Sequence, residues 1–419
     1  MKNYDLVVVG GGPAGMAAAV AAFDAGVKNI LIIERDTKLG GVLNQCVHNG
    51  FGLTRFKENL AGPEYAEKFS DEVEKRDIDV MLSTMVLEVG ADKTVTAMNS
   101  EYGVFTLKPM AIILAMGCRE RSKGALNIAG ARSAGIYSAG TAQRYVNIEG
   151  YLPGKNVVIL GSGDIGLIMA RRMTLEGAKV HAVCEIMPFS SGLKRNIVQC
   201  LDDFGIPLYL NHTIVDIQGK ERVTGVTIAE VNPVDKKPIK GTEIHFDCDT
   251  VLFSVGLIPE NELTKNAGIP MSPRTKGAIV NQYRETDVEG IFACGNVLHV
   301  HDLVDFASEE AEIAGRSAYE YISGKLNKEK TVNLINGANI GYVLPQKITV
   351  PSGDVKVFFR VTNVFKNVTF KVKDGDEVVI SKKKLTVAPG EMETIVLKSD
   401  LLSANKSGNI TIELEAQND

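Results

Sequence analysis

Cysteine is scarce and scattered in this chain. Its six cysteines, Cys46, Cys118, Cys184, Cys200, Cys248 and Cys294, form no Cys-x-x-Cys pair and no His/Cys cluster at zinc spacing, so neither a disulfide framework nor a metal is expected. Positive charge is also in short supply. With 46 Lys and Arg against 51 Asp and Glu, the net charge of -5 leaves no broad basic surface, and neither nucleic acid nor an anionic membrane is expected as a partner. Long apolar runs are missing too: no stretch reaches the roughly eighteen apolar residues that a membrane span requires. Asp5-Leu-Val-Val-Val-Gly10 already reads as a strand entering a turn, which leaves no room for a secretory leader, and a cytoplasmic protein is expected. What remains is 45% hydrophobic and 23% charged residues over 419 positions, the composition of a globular protein of two or three domains.

One pattern occurs twice: an apolar β-branched run, a glycine-rich turn, a helix, and a second apolar strand ending in an acid. The first copy runs from Leu6-Val-Val-Val9 through Gly10-Gly-Gly12-Pro-Ala-Gly15 and a helix to about Ala25, and closes on Ile30-Leu-Ile-Ile-Glu34. The second runs from Val157-Val-Ile-Leu160 through Gly161-Ser-Gly163-Asp-Ile-Gly166 and a helix to about Glu176, and closes on Val180-His-Ala-Val-Cys-Glu185. From Gly10 to Glu34 and from Gly161 to Glu185 the separation is the same, 24 positions, close to that of a dinucleotide-binding βαβ unit.

The residue types fit that chemistry. A pyrophosphate needs backbone N–H donors, and a helix N-terminus supplies them together with a favourable dipole. Gly10 and Gly161 make the tight bend, Gly12 and Gly163 let the phosphates approach, and Gly15 and Gly166 let helix and strand pack closely. Glu34 and Glu185 can each accept from a ribose hydroxyl and would repel a 2′-phosphate, which favours NADH over NADPH at the second site.

Between the copies, Tyr65, Phe69 and Val73 at helical spacing read as a packing helix. The glycine-terminated runs Ala111-Ile-Ile-Leu-Ala-Met-Gly117 and Val251-Leu-Phe-Ser-Val-Gly256 mark where the chain leaves one domain and returns. After Lys325, a polar linker over 326–339 leads to alternating stretches such as Val355-Lys-Val-Phe-Phe-Arg-Val361, broken by turn formers, the mark of a small antiparallel sandwich. The expected fold class is α/β, with two Rossmann-like dinucleotide-binding domains, the second inserted into the first, plus a small C-terminal all-β sandwich. The FAD domain is placed at 1–119 and 250–325, the NAD(H) domain at 120–249, and a structural or docking sandwich at 340–419.

Residues 1 to 325 resemble the flavoproteins with two dinucleotide-binding domains, the group of thioredoxin reductase, NADH oxidases and the pyridine nucleotide-disulfide oxidoreductases. Thr286-Asp-Val-Glu-Gly-Ile-Phe-Ala-Cys-Gly295-Asn296 is similar to the family's second FAD motif, with Asn296 where the family has an acid. The resemblance implies bound FAD and NAD(H), and a helix after this motif that points its N-terminus at the flavin. The expected cofactor-binding set, for FAD and NAD(H) together, is Gly10, Gly12, Pro13, Ala14, Gly15, Glu34, Arg35, Gly41, Ala115, Gly117, Gly161, Gly163, Asp164, Ile165, Gly166, Glu185, Gly256, Gly295, Asn296 and Leu303. A narrower likeness, carried by Gly41-Val-Leu-Asn-Gln-Cys-Val-His-Asn-Gly-Phe-Gly52, Gly295-Asn-Val-Leu-His-Val-His-Asp302 and the β-rich tail, is to a flavoprotein subunit associated with anaerobic glycerol-3-phosphate dehydrogenases. It implies a partner dehydrogenase subunit, and a homo-oligomer is left open.

In this family a redox cysteine follows a Gly-Gly pair, and Gly40-Gly-Val-Leu-Asn-Gln-Cys46 stands there with one cysteine only. Cys46 reads either as a single redox thiol or as a buried residue of the flavin pocket. His48, His299 and His301 fall in segments expected beside the isoalloxazine, either as proton shuttles or as hydrogen-bonded pocket residues. The expected catalytic set is Cys46, His48 and His301. Asp302 and Asp305 read as caps of the following helix. Three functions remain in view: an electron-transferring subunit of a multi-component dehydrogenase, a self-contained NADH oxidase, peroxidase or disulfide reductase using Cys46, and a redox-sensing FAD/NAD-binding module.

Overall fold

The computed structural model describes residues 2–326 and 329–416. The chain forms two compact units, one comprising everything up to Cys118 together with everything from Pro259 onward, the other Arg119–Ile258. In the first, Leu6–Val9 (β1), Pro13–Ala25 (α1), Ile30–Ile33 (β2), Gly62–Lys75 (α2), Asp79–Met81 (β3) and Ala111–Leu114 (β4) come in order. The second unit holds Ile136–Ser138 (β5), Asn156–Leu160 (β6), Asp164–Leu175 (α3), Lys179–Glu185 (β7), Leu208–Leu210 (β8) and Thr250–Phe253 (β9). Ile291–Ala293 (β10) and Val304–Ile322 (α4) return to the first. Two five-stranded sheets result, in the orders β10-β4-β1-β2-β3 and β5-β9-β6-β7-β8.

The apolar strands explain the layering. Every residue of β1 is buried, because a central parallel strand is covered on both faces. Leu6 and Val8 pack with Met16, Ala18 and Ala22 of α1 and Ala311 of α4, while Val7 and Val9 face an antiparallel sheet through Val86, Val95 and Phe105. The second unit repeats this division. Val157 and Ile159 meet Leu167 and Ala170 of α3, whereas Val158 and Leu160 meet Ile214, Val226 and Ile228 of another antiparallel sheet. The alanine-rich α1 lets α4 approach closely, and a Cβ on Gly315 would lie 2.1 Å from the Ala18 carbonyl oxygen.

The α/β fold with two Rossmann-like halves agrees with expectation, and two boundaries differ from it. β9 pairs with β5 and β6, so residues 250–258 belong to the inserted unit rather than to the first. Within the stretch read as a linker, Lys330–Asn336 (β11) is a strand that buries Val332 and Leu334, because those alternate residues serve a sheet face; linker positions 327 and 328 lie outside the described residues. The sandwich therefore begins earlier than 340. It continues with Ile340–Leu344 (β12), Lys347–Val350 (β13), Val355–Val361 (β14), Phe365–Asp374 (β15), Glu377–Val387 (β16), Glu393–Leu397 (β17) and Asn409–Ala416 (β18), in sheets β13-β11-β18-β15-β16 and β12-β14-β17.

The sandwich is packed into the first unit. Leu344 and Phe358 sit in the same apolar cluster as Val7 and Val9, Gln282 and Thr349 exchange two hydrogen bonds at 2.7 and 2.8 Å, and Lys347 pairs with Asp287 at 2.7 Å. Among the described residues no helix is long and apolar enough to cross a membrane.

Candidate functional site

The first glycine turn is shaped by contacts that exclude side chains. At Gly10 the backbone takes a φ of +106°, and a Cβ there would fall 2.5 Å from the Ala115 carbonyl oxygen at the end of β4. A Cβ on Gly15 would lie 1.9 Å from the Gly10 oxygen. Above Gly12 the situation is reversed, since a Cβ there would meet no atom within 4 Å. Gly12 also caps α1, whose first residue Pro13 gives up no N–H that the helix could use. The open space thus lies at the donor end of a helix. Gly41 and Gly295 border it: their Cβ positions would come within 3.1 Å of Gly12 Cα and 2.7 Å of Ala14 Cβ.

Glu34, 7% exposed at the end of β2, accepts from Gly11 N at 2.7 Å through Oε2 and from Asp36 N at 2.8 Å through Oε1. Each carboxylate oxygen keeps a second lone pair for a ribose hydroxyl. An open cradle at a helix N-terminus with an anchored acid beside it fits a dinucleotide. Arg35 is exposed next to it, and Gly117 follows β4.

The second turn repeats the device. Gly161 has φ +102°, and a Cβ on it would lie 1.9 Å from the Ser254 oxygen. Gly166 is closed off by the Gly161 oxygen at 2.4 Å, while a Cβ on Gly163 would meet only the hydroxyls of Ser191 and Ser254, at 3.6 and 3.8 Å. Glu185 accepts from Ser162 N at 3.0 Å, Ser162 Oγ at 2.8 Å and Met187 N at 3.0 Å. Asp164 opens α3, and its Oδ1 accepts from Leu193 N and Asn196 Nδ2 at 2.8 and 2.7 Å. Ile165 follows it, partly buried among the residues under α3, and Gly256 lies just past Ser254. The serines 162, 191 and 254 were not singled out in the sequence, where nothing in their spacing marks them.

Between Gly295 and α4 the structure assembles a buried polar network. Asn296 Oδ1 accepts from His301 N at 2.9 Å and lies 3.3 Å from His301 Nδ1, while its Nδ2 faces Cys118 Sγ at 3.6 Å. Glu310, fully buried on α4, is the hub. Its oxygens lie 3.0 Å from Arg284 Nε, 3.1 Å from His299 Nε2 and 3.3 Å from His301 Nε2, and Gly295 N donates to it at 3.2 Å. Burial alone would push the Glu310 carboxyl up, but His299, His301 and Arg284 together hold it well below the usual carboxylate range. Burial likewise drives His299 down to about 4, so it sits there as a neutral hydrogen-bond partner. The ligand atoms of His299, His301 and Glu310 lie within 4.8 Å of one another, a grouping that the expectation of no metal did not foresee. The Arg284 guanidinium occupies the carboxylate they share.

Sequence reasoning missed Arg284 and Glu310. A signal was present: Ala307, Ala311, Ala314 and Ala318 mark the buried face of α4, and an acid at position 310 falls on that face.

The proposed caps behave differently from expectation. Leu303 holds the N-cap position of α4 without a side-chain bond. Asp305 accepts from Gly52, Thr54 and Arg55 N at 2.7 to 3.1 Å, so its carboxylate pins the 52–55 loop instead of its own helix. Asp302 pairs with Arg360 of the sandwich. His48 keeps Nδ1 3.1 Å from its neighbour's carbonyl, and its ring lies 5.0 Å from that of Phe51. Cys46 follows the short helical turn Gly41–Gln45, donates from Sγ to Val42 O at 3.3 Å, and has its thiol pushed up to about 12 by burial. Such a thiol carries almost no thiolate at neutral pH.

Comparison with known proteins agrees with this geometry. The family model described as pyridine nucleotide-disulphide oxidoreductase matches residues 4–314. Thioredoxin reductase of Bacillus subtilis is 27% identical over 340 residues, covering 79% of this chain and 98% of its own. The hydrogen cyanide synthase subunit HcnB of Pseudomonas protegens is 26% identical over 337 residues, 74% of this chain and 68% of that protein. Among solved structures, the thioredoxin reductase of T. acidophilum shares the fold with a TM-score of 0.63 at 24% identity, covering 76% of this chain and 99% of that one. The chain therefore belongs to the pyridine nucleotide-disulphide oxidoreductase family and is an FAD-dependent oxidoreductase of NAD(P)H.

Proposed function

We propose that this chain is the electron-transferring subunit of a multi-component dehydrogenase, moving reducing equivalents between NAD(H) and a partner subunit that oxidises glycerol 3-phosphate or a 2-hydroxy acid. FAD, when bound, supplies the hydride chemistry. In this reading the first cradle, with Glu34 and the Asn296–Leu303 segment, holds FAD, and the second, with Glu185, holds NAD(H). Neutral His299 and anionic Glu310 supply a fixed polar wall, and His301, between Asn296 and Glu310, is the candidate for the accompanying proton.

The observation that carries the reading is Cys46. It is the one cysteine of the segment where the family sets its redox thiol, and burial raises it to about 12. A disulfide relay within this segment lacks its second sulfur, and in this reading electrons pass to an external acceptor. The name of the similar HcnB, itself a synthase subunit, supports the multi-component part, as does a sandwich lying beyond the matched residues 4–314.

Stopped-flow reduction by NADH in wild type and Cys46→Ser tests it. Equal flavin reduction and equal turnover with an artificial acceptor are expected; loss of turnover in Cys46→Ser would restore the thiol mechanism. Brisk turnover of oxygen, peroxide or coenzyme A disulfide by the purified chain alone would remove the partner.

A further inference from the structure

The polar network behind Gly295 does not end within the dinucleotide-binding fold. Tyr342 on β12 and Arg360 on β14 belong to the sandwich, yet both reach the segment that precedes α4. Arg360 Nη2 donates to the Val300 carbonyl at 3.1 Å and pairs with the Asp302 carboxylate. From the same strand-edge region, Met392 N donates to Asp302 at 2.7 Å. Arg360 Nε lies 3.3 Å from the Tyr342 hydroxyl, which lies 3.2 Å from His299 Nδ1.

The direction of this chain follows from donor chemistry. A carboxylate only accepts, so neutral His299 presents Nε2–H to Glu310, 3.1 Å away, and keeps Nδ1 as an acceptor; the Tyr342 hydroxyl therefore donates to Nδ1 and accepts from Arg360, which only donates. Burial pushes the Tyr342 hydroxyl up to about 12, so it remains a neutral donor across the working range. Every link agrees in direction, and two of its members, Tyr342 and Arg360, lie outside the family-matched 4–314 region.

We propose that Arg360 and Tyr342 are positioning residues of the flavin site: the sandwich braces the His299 ring through the Tyr342 hydroxyl and clamps the Val300–Asp302 backbone, and so holds Asn296 and His301 for the flavin. This rests on the reading of Asn296–Leu303 as flavin-facing. A purely adhesive role for the sandwich makes a different prediction, because Lys347–Asp287 also joins sandwich and first unit without touching this segment.

The test uses full-length holoprotein. FAD release on dilution, read by the fluorescence of free FAD, is measured for Arg360→Met, Arg360→Lys, Lys347→Met and Asn296→Ala, together with thermal midpoint and flavin midpoint potential. Arg360→Met is expected to weaken FAD retention by about tenfold, the size of one lost charge-assisted hydrogen bond. It also leaves the Asp302 carboxylate unpaired, which makes the potential more negative. Arg360→Lys restores part of the retention, and Lys347→Met stays within about twofold of wild type. If Asn296→Ala weakens FAD and Arg360→Met does not, the positioning role is wrong and the flavin reading stands. If neither changes retention, both fall. Should Arg360→Met fail to fold, Tyr342→Phe decides: FAD retention is expected to fall while the His299 nitrogen-15 pattern stays that of an Nε2–H tautomer, and retention equal to wild type overturns the proposal.

Discussion

The two glycine cradles share a backbone device and differ in charge. In each, a positive-φ glycine closes on a carbonyl at the end of a neighbouring strand, and a strand-terminal glutamate accepts a backbone N–H from the turn. The first opens into α1 with Pro13 and Ala14 and has no acid in the first helical turn. The second opens with Asp164 and is bordered by the hydroxyls of Ser191 and Ser254. An acid at a helix N-terminus offsets part of the dipole that would attract a pyrophosphate. The contrast supports the proposed division of labour: a neutral cradle suits a cofactor that stays, and a partly compensated one suits a dinucleotide that must leave each turnover.

The sharpest way to break this comparison is to disrupt each glycine turn separately. Gly15→Val is expected to yield colourless protein, since even a Cβ would lie 1.9 Å from the Gly10 oxygen; Gly166→Val should stay yellow and lose reduction by NADH. Visible absorbance per chain and stopped-flow bleaching check the pair, and the reverse pattern would exchange the two cofactors.

Removing the acids comes next. Glu34→Ala and Glu185→Ala each leave buried backbone donors without an acceptor, which costs roughly 1–3 kcal/mol, or about ten- to a hundredfold in binding. Flavin content should fall in the first, and the KM for NADH should rise in the second with flavin content unaltered. An unchanged NADH-over-NADPH preference in Glu185→Ala would contradict the role given to that carboxylate.

The pH response distinguishes the units further. His299 is held neutral in the folded protein down to about 4, against an ordinary value of 6.5, so the unfolded chain binds more protons between those limits. Stability of the first unit should therefore fall as pH drops through that window. His299→Gln should flatten the dependence, checked by thermal midpoints from neutral pH to about 4.

The smallest effect is expected at Asp164. Asp164→Asn keeps an oxygen for Leu193 N while removing the charge, and should lower the KM for NADH by about two- to fivefold, the range of one charge at a helix end. A raised KM would mean that tethering to Leu193 and Asn196 outweighs the charge.

The parts of the site that could be read in the sequence are the local ones. Gly10, Gly15, Gly161 and Gly166 stand where a backbone contact forbids a side chain, and that requirement acts within a few residues of each turn. Glu34 and Glu185 were legible because a strand of fixed length delivers its last residue to the turn beside it. The Glu310 network was not, since Arg284, His299 and Glu310 meet only after β10 and α4 have packed on β4 and α1. Asp305 misled for the same reason, because its position fits a cap while its acceptors' partners come from residues 52–55.

By itself the sequence determined two strand-turn-helix-strand units with an acid at the end of each, because steric exclusion at glycine and burial of β-branched runs are short-range and repeat in register. Only the tertiary structure decided that the sandwich joins the first unit and lends Arg360 and Tyr342 to a network centred on Glu310. Those groups lie far apart along the chain, and they are brought together by apolar packing around Leu344 and Phe358, which is indifferent to the polar atoms it aligns.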